Sequence, residues 1–289
     1  MLTPERLASA LRAADWPHRA HSRLVRSGGI DWHVQLFGAG PPALLIHGSG
    51  ASAHSFAGLL PLLAEHYTVI APDLPGHGFS STSPRFTPSL PATAAALEGL
   101  LEVLQLTPAL AVGHSAGAAV LAQMALDGAI APELLVGLAA ALVPFRGATR
   151  AVFLPTARLL ARSRLAPHLL ALQALDRRAI ARMLERTGSK LDAQGLARYQ
   201  HLARQPAHVA AVLAMLANWD LEPLYAQLDA IPTRTLLLAG ARDLAVPNAA
   251  QRQLVERLPH ARLSVLSGLG HLLHEERPAE IARLILDER

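Results

Sequence analysis

The chain predicts an α/β fold in which a mostly parallel central sheet is covered by helices on both faces and a helical segment is inserted late in the strand series. Three observations predict it. Short apolar runs recur along the 289 residues as unbroken stretches, the pattern of strands buried on both faces. Longer Ala- and Leu-rich stretches alternate with them, and no internal repeat is present. From Val143 to about Asp229 the alternation stops, and Ala/Leu/Arg helices follow one another between Pro144, Pro155, Pro167, Gly188, Gly195 and Pro206.

The elements follow in order. Residues near His21 to Ser27, then Ile30 to Phe37 after Gly28-Gly29, read as an opening hairpin. Ala43 to Ile46, Thr68 to Ala71, Leu110 to Val112 and Leu134 to Ala140 read as successive short strands. Their partners are helical stretches near Ala53 to Ala64, Ala92 to Leu104 and Ala116 to Leu126. After the inserted helices, Thr235 to Ala239 and Arg262 to Leu266 return to strand. The expected organisation is a core of residues 1–142 and 230–289 interrupted by a helical insertion, 143–229, with no linker long or polar enough to separate them.

Composition narrows the function. About half the positions, 51%, are hydrophobic, enough for one large core. The absence of cysteine excludes disulfides, thiolate metal sites and thiol nucleophiles. Met1 to Ala20 carries Glu5 and Asp15 among its arginines and lacks the apolar stretch of a signal peptide. The run from Leu134 to Phe145 is too short to span a bilayer, so a cytoplasmic protein that is not transmembrane is expected. The formal charge is +4, and Lys190 is the one lysine among 26 cationic residues. No basic block interleaved with aromatics supports nucleic-acid binding, while attraction to an anionic ligand or membrane face stays open. No ligand-spaced histidine cluster and no phosphate-binding loop is present, so neither a metal nor a cofactor is expected.

Chemistry concentrates at strand ends. Gly113-His114-Ser115-Ala116-Gly117 joins an apolar run to a small-residue helix, the context in which G-x-S-x-G forms a nucleophile elbow. The turn is so tight that the positions two before and two after the serine must be nearly free of side chain, which glycine allows. Downstream come Gly240-Ala241-Arg242-Asp243 and Ser267-Gly268-Leu269-Gly270-His271, each after a strand. Ser115 is the candidate nucleophile, His271 its general base and Asp243 the acid that would fix the imidazole tautomer. A retained but inactive elbow is the alternative for Ser115, and a helix N-cap is the alternative for Asp243, because Pro247 and an amphipathic stretch follow. Upstream, His47-Gly48-Ser49-Gly50 ends a strand where an oxyanion loop belongs; the backbone N–H groups of Ser49 and Ala116 are the candidate donors.

These motifs and their Ser…Asp…His order make the chain resemble the α/β-hydrolase superfamily over nearly its whole length. Asp73-Leu74-Pro75-Gly76-His77-Gly78-Phe79-Ser80 and Gly270-His271…Glu276-Arg277-Pro278 match its loops. A narrower resemblance, to the magnesium-chelatase accessory proteins of bacteriochlorophyll biosynthesis, rests on His47 to Ser55, Gly113 to Ala119, Leu126-Asp127-Gly128-Ala129-Ile130-Ala131-Pro132 and Ala217-Asn218-Trp219-Asp220-Leu221-Glu222-Pro223-Leu224. The superfamily implies an α/β-hydrolase fold in which 143–229 is a cap roofing the pocket. The narrower family implies a role near magnesium insertion into protoporphyrin in photosynthetic pigment synthesis, with a tetrapyrrole as possible small-molecule substrate and transient contact with magnesium chelatase.

Within that resemblance, Ser115 sets aside the dehalogenases and epoxide hydrolases, which use a carboxylate nucleophile. Leu272 stands where carbon–carbon hydrolases usually carry tryptophan. His47, Asp73 and His114 read as loop supports, and His54 and Ser55 either face the pocket or start a helix. Trp219 either lines the pocket or anchors the core. Arg146, Arg150, Arg158, Arg162 and Arg164 are solvated by default and are candidates for propionate carboxylates if the ligand is a porphyrin. The same cap supplies apolar surface through Phe145, Phe153, Leu154, Leu159, Leu160, Leu169 and Leu170. Two functions follow: a serine hydrolase acting on an ester, thioester or amide, and a non-catalytic porphyrin-binding accessory or carrier for the chelatase.

Overall fold

A computed structural model of the chain describes residues 3–83, 85–144 and 147–288, with residues 147–154 described by backbone course only. Among the described residues eight strands form one sheet: β1 (Ser22–Ser27), β2 (Ile30–Phe37), β3 (Pro42–Ile46), β4 (Thr68–Pro72), β5 (Leu110–His114), β6 (Leu134–Leu138), β7 (Thr235–Gly240) and β8 (Ala261–Leu266). Their order is β1-β2-β4-β3-β5-β6-β7-β8. The first three in that row pair antiparallel and all later neighbours pair parallel. Gly28 and Gly29 turn the opening hairpin with φ of +59° and +76°, a turn that L side chains resist. From β3 the chain first builds outward to β4 and then crosses back to β5. The crevice at the carboxyl ends of β3 and β5 is therefore the topological switch point, where open α/β sheets bind ligands.

Side-chain alternation along the strands feeds two cores. Leu44 and Ile46 of β3 face one layer with α3 (Leu90–Leu104) and α4 (Ala116–Leu126), while Ala43 and Leu45 face the other layer. That second layer holds α2 (Leu60–Ala64), α12 (Leu273–Glu276) and α13 (Pro278–Leu286). Helix α11 (Asn248–Arg257) lies between β7 and β8 in sequence and contributes Leu254 to the first layer. Between β6 and β7 the described chain is helical: α5 (Gly147–Arg162), α6 (Ala166–Gln173), α7 (Arg177–Glu185), α8 (Ala193–Ala203), α9 (Pro206–Asn218) and α10 (Glu222–Ala226). Asp176 and Asp192 cap α7 and α8 by accepting the amides of Arg178 and Gly195. Among the described residues no helix is long and apolar enough to cross a membrane.

Three elements differ from expectation. The strand over 134–140 stops at Leu138 because Ala139 takes φ +47°, a left-handed turn that ends pairing. The helix over 53–64 divides into a 3-10 turn, Ala53–Phe56, and α2, with Gly58 between them packed against Pro278. Helix α1 (Pro4–Ala13) was not expected at all. It is capped by the Thr3 hydroxyl and closes with Leu7, Leu11 and Trp16 around Leu202 of α8, tying the N-terminal segment to the insertion.

Candidate functional site

Ser115 sits at the turn between β5 and α4 with φ +51° and ψ −116°, a strained backbone for any L residue, typically costing about 1–3 kcal/mol. The neighbouring glycines are there for space. A Cβ on Gly113 would lie 2.5 Å from the backbone of Ala118, and one on Gly117 would collide with the Ile46 carbonyl and sit 2.7 Å from that of His47. The elbow is fastened on both sides: Ser115 N–H donates to Leu138 O at 2.9 Å, and Ala141 N–H donates to Ser115 O at 3.2 Å. The side chain of Ser115 remains partly exposed.

Asp243 and His271 meet from separate loops. The contact between His271 Nδ1 and Asp243 Oδ2 is 2.9 Å, with both residues buried. Asp243 does not cap α11, which starts five residues later at Asn248. Its Oδ1 instead accepts the amides of Ala245 and Val246 at 2.8 and 2.9 Å, holding a turn while Oδ2 faces the imidazole. Among the described residues no hydrogen bond within 3.5 Å joins Ser115 Oγ to His271, a link that often tightens only when substrate is bound. The two are bridged through His114, whose Nε2–H donates to His271 O at 3.1 Å and whose ring lies 4.8 Å from the His271 ring. Burial holds His114 well below the ordinary histidine range, which fits a support rather than a proton carrier.

The glycine loop lies directly on Ser115: a Cβ on Gly48 would come within 2.8 Å of His114 Nδ1 and 3.1 Å of Ser115 Cβ. His47 Nε2 accepts Leu74 N–H at 2.9 Å, so its Nδ1 carries the proton and donates to Gly48 O at 2.8 Å. Burial lowers the His47 pKa and keeps the ring neutral in this role. A trans peptide points its N–H opposite its C=O, so anchoring the Gly48 carbonyl aims the Ser49 amide the other way. Ala116, first residue of α4, has an N–H that the helix cannot satisfy. Both expected donors thus have the local geometry to be free.

Asp73 is the hub behind this loop. It accepts Ala53 N–H at 2.7 Å, Phe79 N–H at 2.8 Å and the His33 ring at 2.8 Å. Burial alone would raise its pKa, but the His33 ring and the amides outweigh that and bring it to about 2.

Several residues of the insertion, none singled out by sequence, hold these loops. Thr187 O accepts the amides of Leu244 and His271 at 3.1 and 3.4 Å, and Ser189 Oγ accepts Leu272 N–H at 2.8 Å. On α9, His208 Nδ1 accepts Gly78 N–H at 3.1 Å and its Nε2–H donates to Gly50 O at 3.3 Å, clamping two core loops together. Burial lowers His208 to about 4, so it remains an acceptor near neutrality. From α8, Tyr199 OH donates to Glu275 Oε1 at 2.6 Å, and Ser55 Oγ donates to the same oxygen at 2.6 Å. With its proton used there, Ser55 accepts from His274 Nε2 at 2.8 Å. Burial pushes Glu275 up to about 7 against the pull of those bonds and of Arg198.

The remaining candidates divide. His54 is buried between Trp16 and Tyr199, and Ser55 faces Glu275, so both serve this junction. Trp219 packs half-buried against the main core, as an anchor does. Arg158 donates to Ala217 O at 3.4 Å, while Arg162 and Arg164 are exposed. Leu159 and Leu169 face solvent instead of an enclosed pocket. Phe145 and Arg146, and the side chains of Arg150, Phe153 and Leu154, lie outside the described residues. Among the described residues no three histidine or acidic side chains are grouped to hold a metal ion.

Comparison with known proteins agrees with this architecture. The magnesium-chelatase 30 kDa subunit of Rhodobacter capsulatus is 41% identical over 276 residues, 95% of this chain and 96% of that protein. The pimeloyl-[acyl-carrier protein] methyl ester esterase of Xanthomonas campestris pv. campestris is 32% identical over 266 residues, covering 86% of this chain and 96% of the esterase. The crystal structure of an alpha/beta hydrolase fold protein from Burkholderia ambifaria superposes with a TM-score of 0.77 at 22% identity, over 92% of this chain and 100% of that one. The family model described as the alpha/beta hydrolase family matches residues 43–284, and with the sheet order and the strand-end loops above it, the chain belongs to the alpha/beta hydrolase family.

Proposed function

We propose that the protein is a serine hydrolase cleaving an ester, thioester or amide through an acyl-enzyme, with Ser115 as nucleophile, His271 as general base and Asp243 as orienting acid. The observation that carries this reading is the 2.9 Å contact of His271 Nδ1 with Asp243 Oδ2, made beside a serine strained onto an elbow. Ser115 Oγ adds to the substrate carbonyl carbon while its proton passes to His271 Nε2. The N–H groups of Ser49 and Ala116 receive the oxyanion. Collapse breaks the bond to the leaving group, which takes the proton from His271. Water then adds to the acyl-serine by the same route, releasing a carboxylic acid and free Ser115. Residues 143–229 act as a cap over the core of 1–142 and 230–289, and Thr187, Ser189 and His208 of that cap hold the reacting loops in place.

The Rhodobacter relative, named as a magnesium-chelatase subunit, supports transient contact with the chelatase; we place the protein there, in the cytoplasm, near magnesium insertion into protoporphyrin. The esterase relative, named for a methyl ester, supports an ester substrate, and a tetrapyrrole ester would satisfy both. A non-catalytic porphyrin carrier is the second reading, favoured by the same relative's name as a chelatase subunit. Fluorophosphonate labelling separates them, since it needs both a serine and a competent base. The hydrolase reading expects labelling of the unaltered protein and none of Ser115→Ala, whose fold should persist because the hydroxyl carries little packing. A folded protein that takes no label yet shifts the Soret band of protoporphyrin is the carrier. Equal labelling of Ser115→Ala would place the nucleophile elsewhere.

A further inference from the structure

The helical insertion bears an apolar surface that its own fold leaves uncovered. On α6 and its flanks Leu165, Leu169, Leu172 and Leu175 are 71, 60, 60 and 57% exposed. The first three follow i, i+4, i+7 spacing and share one helix face, while Ala166, Pro167 and Ala171 turn inward. Leu159, near the end of α5, is 71% exposed as well. Single exposed leucines are ordinary, but five between residues 159 and 175 form a concentration that solvent alone does not explain.

Cations surround them. Between residues 158 and 190 seven arginines and Lys190 are exposed, against two carboxylates, Asp176 and Glu185. Arg162 and Arg164 precede the leucine face, and Arg177 and Arg178 follow it. Arg182 reaches Asp176 at 3.4 Å, but among the described residues Arg162, Arg164 and Arg178 have no acidic partner within 4.0 Å. We infer that this face docks the protein peripherally on an anionic lipid surface, the leucines entering the apolar boundary and the arginines meeting the headgroups.

Charge complementarity selects this occupant. A second copy in a two-fold interface would set the cationic stretch against itself. The leucines stand out from a short helix instead of lining a groove, and a fluid apolar phase accommodates such projections without a matching surface.

The test is cosedimentation of the full chain with vesicles of phosphatidylcholine, alone or containing about one-third phosphatidylglycerol. Binding is expected to the mixed vesicles only, and to fall at about 1 M salt, where screening is nearly complete. Joint Leu165→Ser, Leu169→Ser and Leu172→Ser replacement should weaken partition at least about tenfold, since each leucine contributes buried methylenes. Arg162→Gln with Arg164→Gln should cost about fivefold per charge. Arg23→Gln with Arg252→Gln removes equal charge elsewhere and should change binding less than about twofold. The inference falls if mixed vesicles do not bind at low salt, if the leucine variant binds as well as the parent, or if the two arginine pairs lose equally. A dimer formed without lipid and dissociated by the leucine variant would assign the face to a second copy and overturn it too. The headgroup and salt dependence of the unaltered protein stands as a test even if a variant misfolds.

Discussion

Glu275→Gln isolates a partly buried carboxyl whose titration is moved close to neutrality. Glu275 links Tyr199 of α8 to Ser55, and burial moves its pKa from the ordinary 4.5 up to about 7. At about 1.4 kcal/mol per pH unit, that gap corresponds to about 3 kcal/mol of folding free energy. The sign follows from which state holds the proton. The native carboxyl keeps it longer than the unfolded one, so the contribution is fully present below pH 4.5 and is lost as pH rises to about 7. Glutamine preserves the shape and an acceptor for both hydroxyls but cannot ionise. Urea unfolding of parent and variant across this range should show the parent losing about 3 kcal/mol relative to the variant. Taking the difference cancels the other titrating groups. A difference that stays flat with pH would mean the carboxyl is solvated, and the enclosure of Glu275 by Ser55 and Tyr199 would be wrong.

The other predictions concern the loops around Ser115. Asp243→Asn should keep the turn at Ala245 and Val246 but misorient His271, lowering esterase turnover by about 10³–10⁴ with little change in melting temperature; an unchanged rate would leave Asp243 only its turn. His208 has its pKa lowered to about 4, so its share of stability is present above the ordinary 6.5 and lost as pH falls through about 4. His208→Gln should therefore flatten the acid limb of the unfolding curve, and an identical limb in parent and variant would remove His208 from the clamp. Gly117→Ala forces a methyl against the Ile46 and His47 carbonyls and should cost about 1–3 kcal/mol by thermal unfolding, with fluorophosphonate labelling impaired because the Gly48 loop must shift. Full stability and labelling in that variant would mean the elbow is looser than described.

The strands were legible because parallel strands covered on both faces must be written as unbroken apolar runs; all eight expected strands are present, Ile30–Phe37 with both ends as expected and the others with ends moved by one or two residues. What failed depended on distant contacts. Nothing local announces that Ala139 adopts a left-handed angle; the position follows from β6 ending beside Ser115, whose amide is bound to Leu138 O. Helix α1 shows only Leu7 and Leu11 as its apolar seam, too sparse to read, and its partner Leu202 is far along the chain. The divided 53–64 segment kept its apolar content through the break, so periodicity could not reveal the 3-10 turn.

Ser115, Asp243 and His271 stood out because each sits in a short motif after a strand, where local sequence encodes the turn. Tyr199, Ser189 and His208 did not, because their partners lie 76 to 130 positions away, on Glu275, the Leu272 amide and the Gly78 amide; Ser55 was raised as a pocket or helix-start residue, but its partner Glu275, 220 positions on, was not. The match at Glu276-Arg277-Pro278 stopped one residue short of Glu275. Sequence also posed a choice for Asp243, acid or cap, that geometry dissolves. A carboxylate has two oxygens with separate lone pairs, and here Oδ1 holds a turn while Oδ2 holds an imidazole. The turn fixes the carboxylate plane, and the fixed plane sets the direction of Oδ2. Aspartate at position 243 is thus suited to orient His271 because it is first a good turn residue, and the same logic runs through His47 and His208, whose one nitrogen accepts from a core amide so that the other must donate to a glycine carbonyl of the 48–50 loop.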